Sequence, residues 1–166
     1  MKKIIIMIVL LSFLVVGCSE KKEIDSGTEK IDVSTMEHKH CTRLGEGENL
    51  TTDLSYDVYY TGERLNLLVS KEAVTSEDAS ILQQYEDAYK SIFAHYEGLD
   101  YYDATVTREG NTVTSNIIIN YDKIDIARLI EIEGEEDNIF ENKEPNVEKW
   151  LELAKKFGTQ CTVVTE

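Results

Sequence analysis

Two runs of strict alternation, back to back, restrict the fold of this chain more than anything else in it. Leu54, Tyr56, Val58 and Tyr60 alternate with Ser55, Asp57 and Tyr59, and after Thr61-Gly62-Glu63 the pattern resumes through Leu65, Leu67 and Val69. A period of two marks half-buried strands, and so short a glycine-containing link joins them as an antiparallel hairpin. Ala104 to Arg108 and Val113 to Tyr121, on either side of Glu109-Gly110-Asn111, predict a second hairpin. Between the hairpins the period changes. Ile81, Tyr85, Ala88, Ile92, Tyr96 and Leu99 fall three or four apart, and Leu82, Tyr89 and Phe93 widen the stripe. With capping residues at Thr75 to Asp78 and a stop at Gly98, this predicts one amphipathic helix from about Ser76 to Tyr96. So broad an apolar face has to lie on the sheet, and the tyrosines of the first hairpin read as packing rather than as a binding face.

The flanks complete the pattern. A first strand is expected from His40 to Leu44, followed by a turn over Gly45 to Asn49. Ile126, Leu129 and Ile130 fit a short helix beginning near Asp122 or Asp125. Pro145 and Asn146 introduce a last helix, Val147 to Phe157, stopped by Gly158, and Gln160 to Thr165 closes the chain as a strand. The order predicts an α+β fold: a mainly antiparallel sheet of about six strands, with one long helix and one or two shorter ones packed on one face.

Ahead of this lies Met1 to Cys18, MKKIIIMIVLLSFLVVGC. Lys2 and Lys3 precede an apolar run from Ile4 to Val16 in which Ser12 is the only polar residue. The run is too short for a bilayer core, which needs about 20 residues in helical form, and it has the layout of a secretory signal. Val15-Val16-Gly17-Cys18 resembles a lipobox, the recognition sequence for bacterial lipoprotein processing. That resemblance implies cleavage between Gly17 and Cys18 and a diacylglyceryl thioether on Cys18. The expected organisation is a signal peptide over 1–17, a flexible polar tether over 18–37 and one globular domain over 38–166. The location implied is the extracytoplasmic side of a cell membrane, held there by lipid.

The chain carries 32 acidic against 17 basic side chains, a net charge of −15, and two of the basic residues belong to the leader. So acidic a surface argues against nucleic acid, whose affinity comes from Lys and Arg on phosphates, and against electrostatic adhesion to anionic lipid. Attachment to the membrane then falls to the lipid on Cys18.

Cys41 and Cys161, near the two ends of the folded part, are the cysteines left once Cys18 is given to lipid. A disulfide between them is favoured by an oxidising compartment; two buried thiols are the alternative. His38-Lys39-His40-Cys41 holds ligand types that suit zinc or copper. On a strand, however, the two histidines point to one face and Cys41 to the other, so no metal or other cofactor is assigned. His95 lies beside the helix stripe and reads as a partly packed histidine. From Glu131 to Glu144 acids predominate, but the spacing of a calcium loop is absent, and a solvated loop is expected.

From Cys41 to the end, the chain resembles the YehR-like lipoproteins, small bacterial lipoproteins of undefined biochemical function. The resemblance rests on Cys41-Thr42, Tyr60-Thr61-Gly62-Glu63, Tyr96-Glu97-Gly98-Leu99, Ile119 to Asp125, and the helix end around Leu151, Phe157 and Gly158. It implies a lipid-anchored α+β domain and supplies no catalytic residues. No nucleophile elbow, phosphate loop or zinc motif is present in the sequence. The expectation is a non-enzymatic binding or interaction module at the cell envelope, with a metal-binding lipoprotein or an extracytoplasmic hydrolase as alternatives.

Overall fold

The computed structural model describes residues 22–27, 29–134 and 139–165. Its centre is a six-stranded sheet built from β3 (Glu37–Glu46), β4 (Thr51–Thr61), β5 (Arg64–Thr75), β6 (Tyr102–Glu109), β7 (Thr112–Asn120) and β10 (Gln160–Val163). The strands lie in the order β10-β3-β4-β5-β7-β6, and every neighbouring pair is antiparallel. The α+β class expected from the sequence is the class observed.

Both predicted hairpins form. Gly62 and Gly110 sit at their turns with φ of +60° and +58°, a backbone region that side chains with a Cβ enter only at a cost. The predicted long helix is α1 (Ala79–Ala94), capped by Asp78, whose carboxylate accepts the amide of Ser80. Asp125 and Asn146 cap α2 (Ile126–Glu133) and α3 (Val147–Lys156) in the same way.

Strand register separates the sheet into two unlike faces. Cys41, Tyr56, Ser70 and Ile117 stand in one row across it, and Lys39, Val58, Leu68 and Ile119 in the next. This face carries the helices. Leu82 and Tyr89 of α1 pack with Val74 and Val113, while α2 and α3 bring Leu129, Ile130, Val147, Trp150 and Ala154 onto Val58, Leu65 and Leu68. Trp150 meets Tyr56 edge to face at a centroid distance of 5.0 Å.

The opposite face is polar except at the exposed Leu44 and at one end, and that end corrects the expected tether. From Lys22 onward the segment is not a free leash. β1 (Glu23–Asp25) and β2 (Lys30–Asp32) pair as a small antiparallel hairpin. Val33 is 3% exposed, and Ile24, Ile31 and Met36 join it over Tyr59, Leu67, Val69 and Ile118. Four apolar side chains scattered among charges give no period to read, yet they suffice to cover the apolar corner of the sheet. Glu29 fixes the hairpin to the sheet by accepting from Asn120 Nδ2 at 2.8 Å and from Lys123 Nζ.

The described residues of the acidic stretch, 131–134 and 139–144, are also more structured than a solvated loop. Glu131 to Glu133 complete α2, and Ile139 and Phe140 are buried in the main core. Phe140–Glu141 (β8) and Glu144–Pro145 (β9) then form a second small hairpin. Arg64 binds it down: its Nε donates to Asp122 at 3.1 Å, and its Nη1 donates to Glu144. Its Nη2 donates to the carbonyl of Tyr121 at 3.2 Å. The sequence pattern missed these anchors because charged residues surround them.

Candidate functional site

The predicted site residues fall into separate places. Gly17 and Cys18 lie outside the described residues. Cys41 and Cys161 are joined in a disulfide, with their Cα atoms directly opposite in the β3–β10 ladder and 3.9 Å apart. That bond takes Cys41 out of any metal-binding role with the neighbouring histidines, and strand alternation places it on the helix-covered face.

His38 and His40 are brought together on the other face, by a residue that the sequence reading did not single out. Asp57 lies opposite His40 in the β3–β4 register. Its Oδ1 bonds with His38 Nε2 at 2.8 Å and with His40 Nδ1 at 2.9 Å. A carboxylate accepts, so each histidine donates through the named nitrogen. The His38 ring also stacks on Tyr59, with centroids 4.3 Å apart and planes 12° from parallel. Burial, reinforced by the charge of Asp57, pushes the Tyr59 phenol up to about 12, so it stays neutral beside the imidazole.

The three polar side chains differ in access to water. His38 is 12% exposed, Asp57 35% and His40 42%. His38 Nδ1 is shut from solvent and has no hydrogen-bond partner, which is uncommon for a buried polar atom. Beside the His38 ring a small, largely enclosed cavity of about 120 Å³ is bordered by Lys22, Val33, Ser34, Met36, Tyr59 and Val164. Asp57 escaped sequence reading because it sits 17 residues from His40 and 19 from His38; only the hairpin register brings them together.

Among the described residues, no three His, Cys, Asp or Glu side chains are set around a metal-sized site. His95 lies at the exposed C-terminal end of α1, where its Nδ1 reaches the carbonyls of Ser91 and Ile92 at 2.8 and 3.3 Å. It caps its own helix and faces no catalytic partner. Larger hollows lie elsewhere and are broadly open to solvent. One of about 820 Å³ lies between Gly47 to Thr51 and the start of α1, and is lined by Glu48, Glu77 and Asp78 with no basic residue. Another of about 680 Å³ follows α3 and β10 past Cys161.

Beyond the small hairpin, the helix-free face continues as a largely polar surface. Thr42, Ser55, Lys71, Asn116 and Thr105 form one row across five strands. None of the five is buried. No described helix covers this row, and none of the hollows described above is lined by it.

No family model matches the chain, and no curated protein matches it significantly. Among solved structures, the NMR structure of a protein from Streptococcus pneumoniae TIGR4 aligns with a TM-score of 0.48 at 10% identity, covering 98% of this chain and 97% of that one. The NMR structure of the Escherichia coli YehR protein aligns with a TM-score of 0.55 at 15% identity, covering 80% of this chain and 96% of that one. At that identity the likeness is one of fold, and in fold the chain is similar to YehR.

Proposed function

We propose that this protein is a lipid-anchored lipoprotein of the cell envelope that works as a non-enzymatic binding module. The observation that carries the reading is the sequence Val15-Val16-Gly17-Cys18 behind a short basic and apolar leader. The disulfide supports an oxidising, extracytoplasmic setting. The uncovered polar face of the sheet is the surface we assign to binding, since a tethered domain can present it to a partner in the same envelope.

Two measurements test this. Cys18→Ala is expected to move the protein out of the lipid-modified membrane fraction and to abolish incorporation of labelled fatty acid. Labelling that survives the substitution would place the anchor elsewhere. A photo-crosslinking residue at Asn116 is expected to give a discrete adduct in intact cells, whereas one at Ser91, on the exposed side of α1, gives none. Equal labelling from both positions would remove the sheet face from the proposal.

A further inference from the structure

We propose that the Cys41–Cys161 bond is a site of reversible thiol–disulfide exchange, entered at Cys161 by the dithiol of an envelope protein, and that its reduction releases β10 from the sheet. Exchange proceeds by attack of a thiolate on one sulfur of the bond, and access decides which. Cys41 has no exposed surface, whereas Cys161 is exposed on β10, at the edge of the sheet. Exposed disulfides are the labile and regulatory class, and enclosed ones resist reduction.

A docking surface adjoins the exposed half-cystine. The hollow of about 680 Å³ along α3 and β10 is lined by Cys161 itself, together with Lys39, Glu148, Leu151, Glu152 and Lys155. Its two lysines and two glutamates cancel, so in a chain of net charge −15 an incoming thiolate meets no net repulsion here. What the bond secures is held lightly by other means. β10 has four residues, all of them exposed. Besides its ladder to β3, the amide of Val164 donates to the carbonyl of His38 at 3.0 Å, and the Thr162 hydroxyl donates to the carbonyl of His40 at 3.4 Å. Hydrogen bonds at such an edge open before those of central strands. Cys41 belongs to the main core, so the strand that moves is the one carrying Cys161.

The electrons balance with the partner's dithiol alone. One of its thiolates bonds to Cys161 Sγ as the Cys41–Cys161 bond breaks. Cys41 leaves as a thiolate and takes a proton from water, since apolar surroundings favour the neutral thiol. The partner's second thiolate then attacks the partner's own sulfur in the mixed disulfide, which closes the partner's disulfide and releases Cys161. Two electrons pass to this chain, and the reverse sequence restores the bond. The proposal rests on the envelope location only for the kind of partner it meets; none of its chemistry involves Cys18.

The test uses the full chain in detergent with Cys18→Ala, so that Cys41 and Cys161 are its only cysteines. The probe is thioredoxin whose second active-site cysteine is replaced by alanine, which leaves the mixed disulfide unresolved. Without denaturant, an adduct is expected at Cys161, with Cys41 recovered as a free thiol by alkylation, and its rate of formation should grow in proportion to the probe. No adduct, or an adduct at Cys41, would overturn the proposal. So would a rate that levels off at that of global unfolding. Lys155→Glu, at an exposed position of α3, is expected to slow adduct formation at least about threefold at an unchanged urea midpoint; an unchanged rate would overturn the assignment of the hollow. With reductant present, amide protection should be lost over Gln160–Val163 and kept in β4, β5 and β7. Loss across the whole sheet would overturn the release of a single strand.

Discussion

Cys161 stands directly across the ladder from Cys41, and the two ends of their bond lie in different surroundings: Cys41 is fully buried under the helices, while Cys161 is exposed on the edge strand β10. The bond joins residues 120 apart in sequence, and it holds a strand of four exposed residues that buries little of its own. The chain-entropy model assigns a loop of this length about 4–5 kcal/mol, an upper figure by experience. Reduction, or Cys161→Ser, should therefore lower stability by about 2–4 kcal/mol. Denaturant melts with and without reductant read this directly, and amide exchange should rise first in β10.

The N-terminal hairpin should behave as part of the fold. Val33→Ala removes a nearly fully buried side chain from the cluster over Tyr59 and Leu67. The expected loss is about 1–2 kcal/mol, with faster proteolytic cleavage between Lys22 and Met36. A substitution without effect on either measurement would mean that the hairpin adds nothing to the sheet.

Acid should loosen the same hairpin. The Glu29 carboxyl is held below its usual range, first by the hydrogen bond from Lys123 and further by that from Asn120, against a partial counter-effect of desolvation. A carboxylate whose folded value is depressed stabilises the fold above its unfolded value of about 4.3. That contribution fades as pH falls through the lower folded value. Amide protection over 22–33 should therefore fall below about pH 4.3, and Glu29→Gln should flatten the dependence. Protection that instead grows with acid would reverse the assigned sign.

The β8–β9 turn carries an opportunity for gain. Asn142 and Lys143 take φ of 53° and 66°, the left-handed pair that a two-residue hairpin link demands. Asn tolerates this region, but Lys does so at a cost of about 1 kcal/mol. Lys143→Gly should raise stability by up to about 1 kcal/mol, measured as a higher midpoint in urea.

Arg64 should matter more to order than to overall stability. Its ion pairs with Asp122 and Glu144 involve side chains 38–65% exposed, so each contributes under about 1 kcal/mol. Arg64→Ala is expected to cost about 1 kcal/mol in total while freeing residues 139–146. Exchange in that segment should rise without a matching change in the central strands.

The parts of the fold legible in the sequence are those with a period. Alternation from Leu54 to Val69 and the stripe from Ile81 to Leu99 place the central hairpin and α1, because each residue's face follows from its neighbours. Where anchoring rests on isolated side chains, sequence falls silent. Ile24, Val33 and the pair Ile139-Phe140 are each flanked by polar or charged residues, and only the sheet's bare corner or the main core shows what they cover. The polar site lies between these cases. Two histidines at alternate positions mark one face of a strand, but Asp57 joins them only through cross-strand register, a long-range quantity that composition does not carry.

The hairpin at the start of the described chain also sets a distance. With lipid on Cys18, as proposed, the slack between anchor and body ends at Lys22, and four extended residues reach about 14 Å at most. On that proposal the corner that carries β1 and β2 would stay within that reach of the anchor. β3 starts at that corner and runs 10 residues away from it, roughly 30 Å of rise. The turn over Gly47 to Leu50 lies at the opposite end of β3 from that corner.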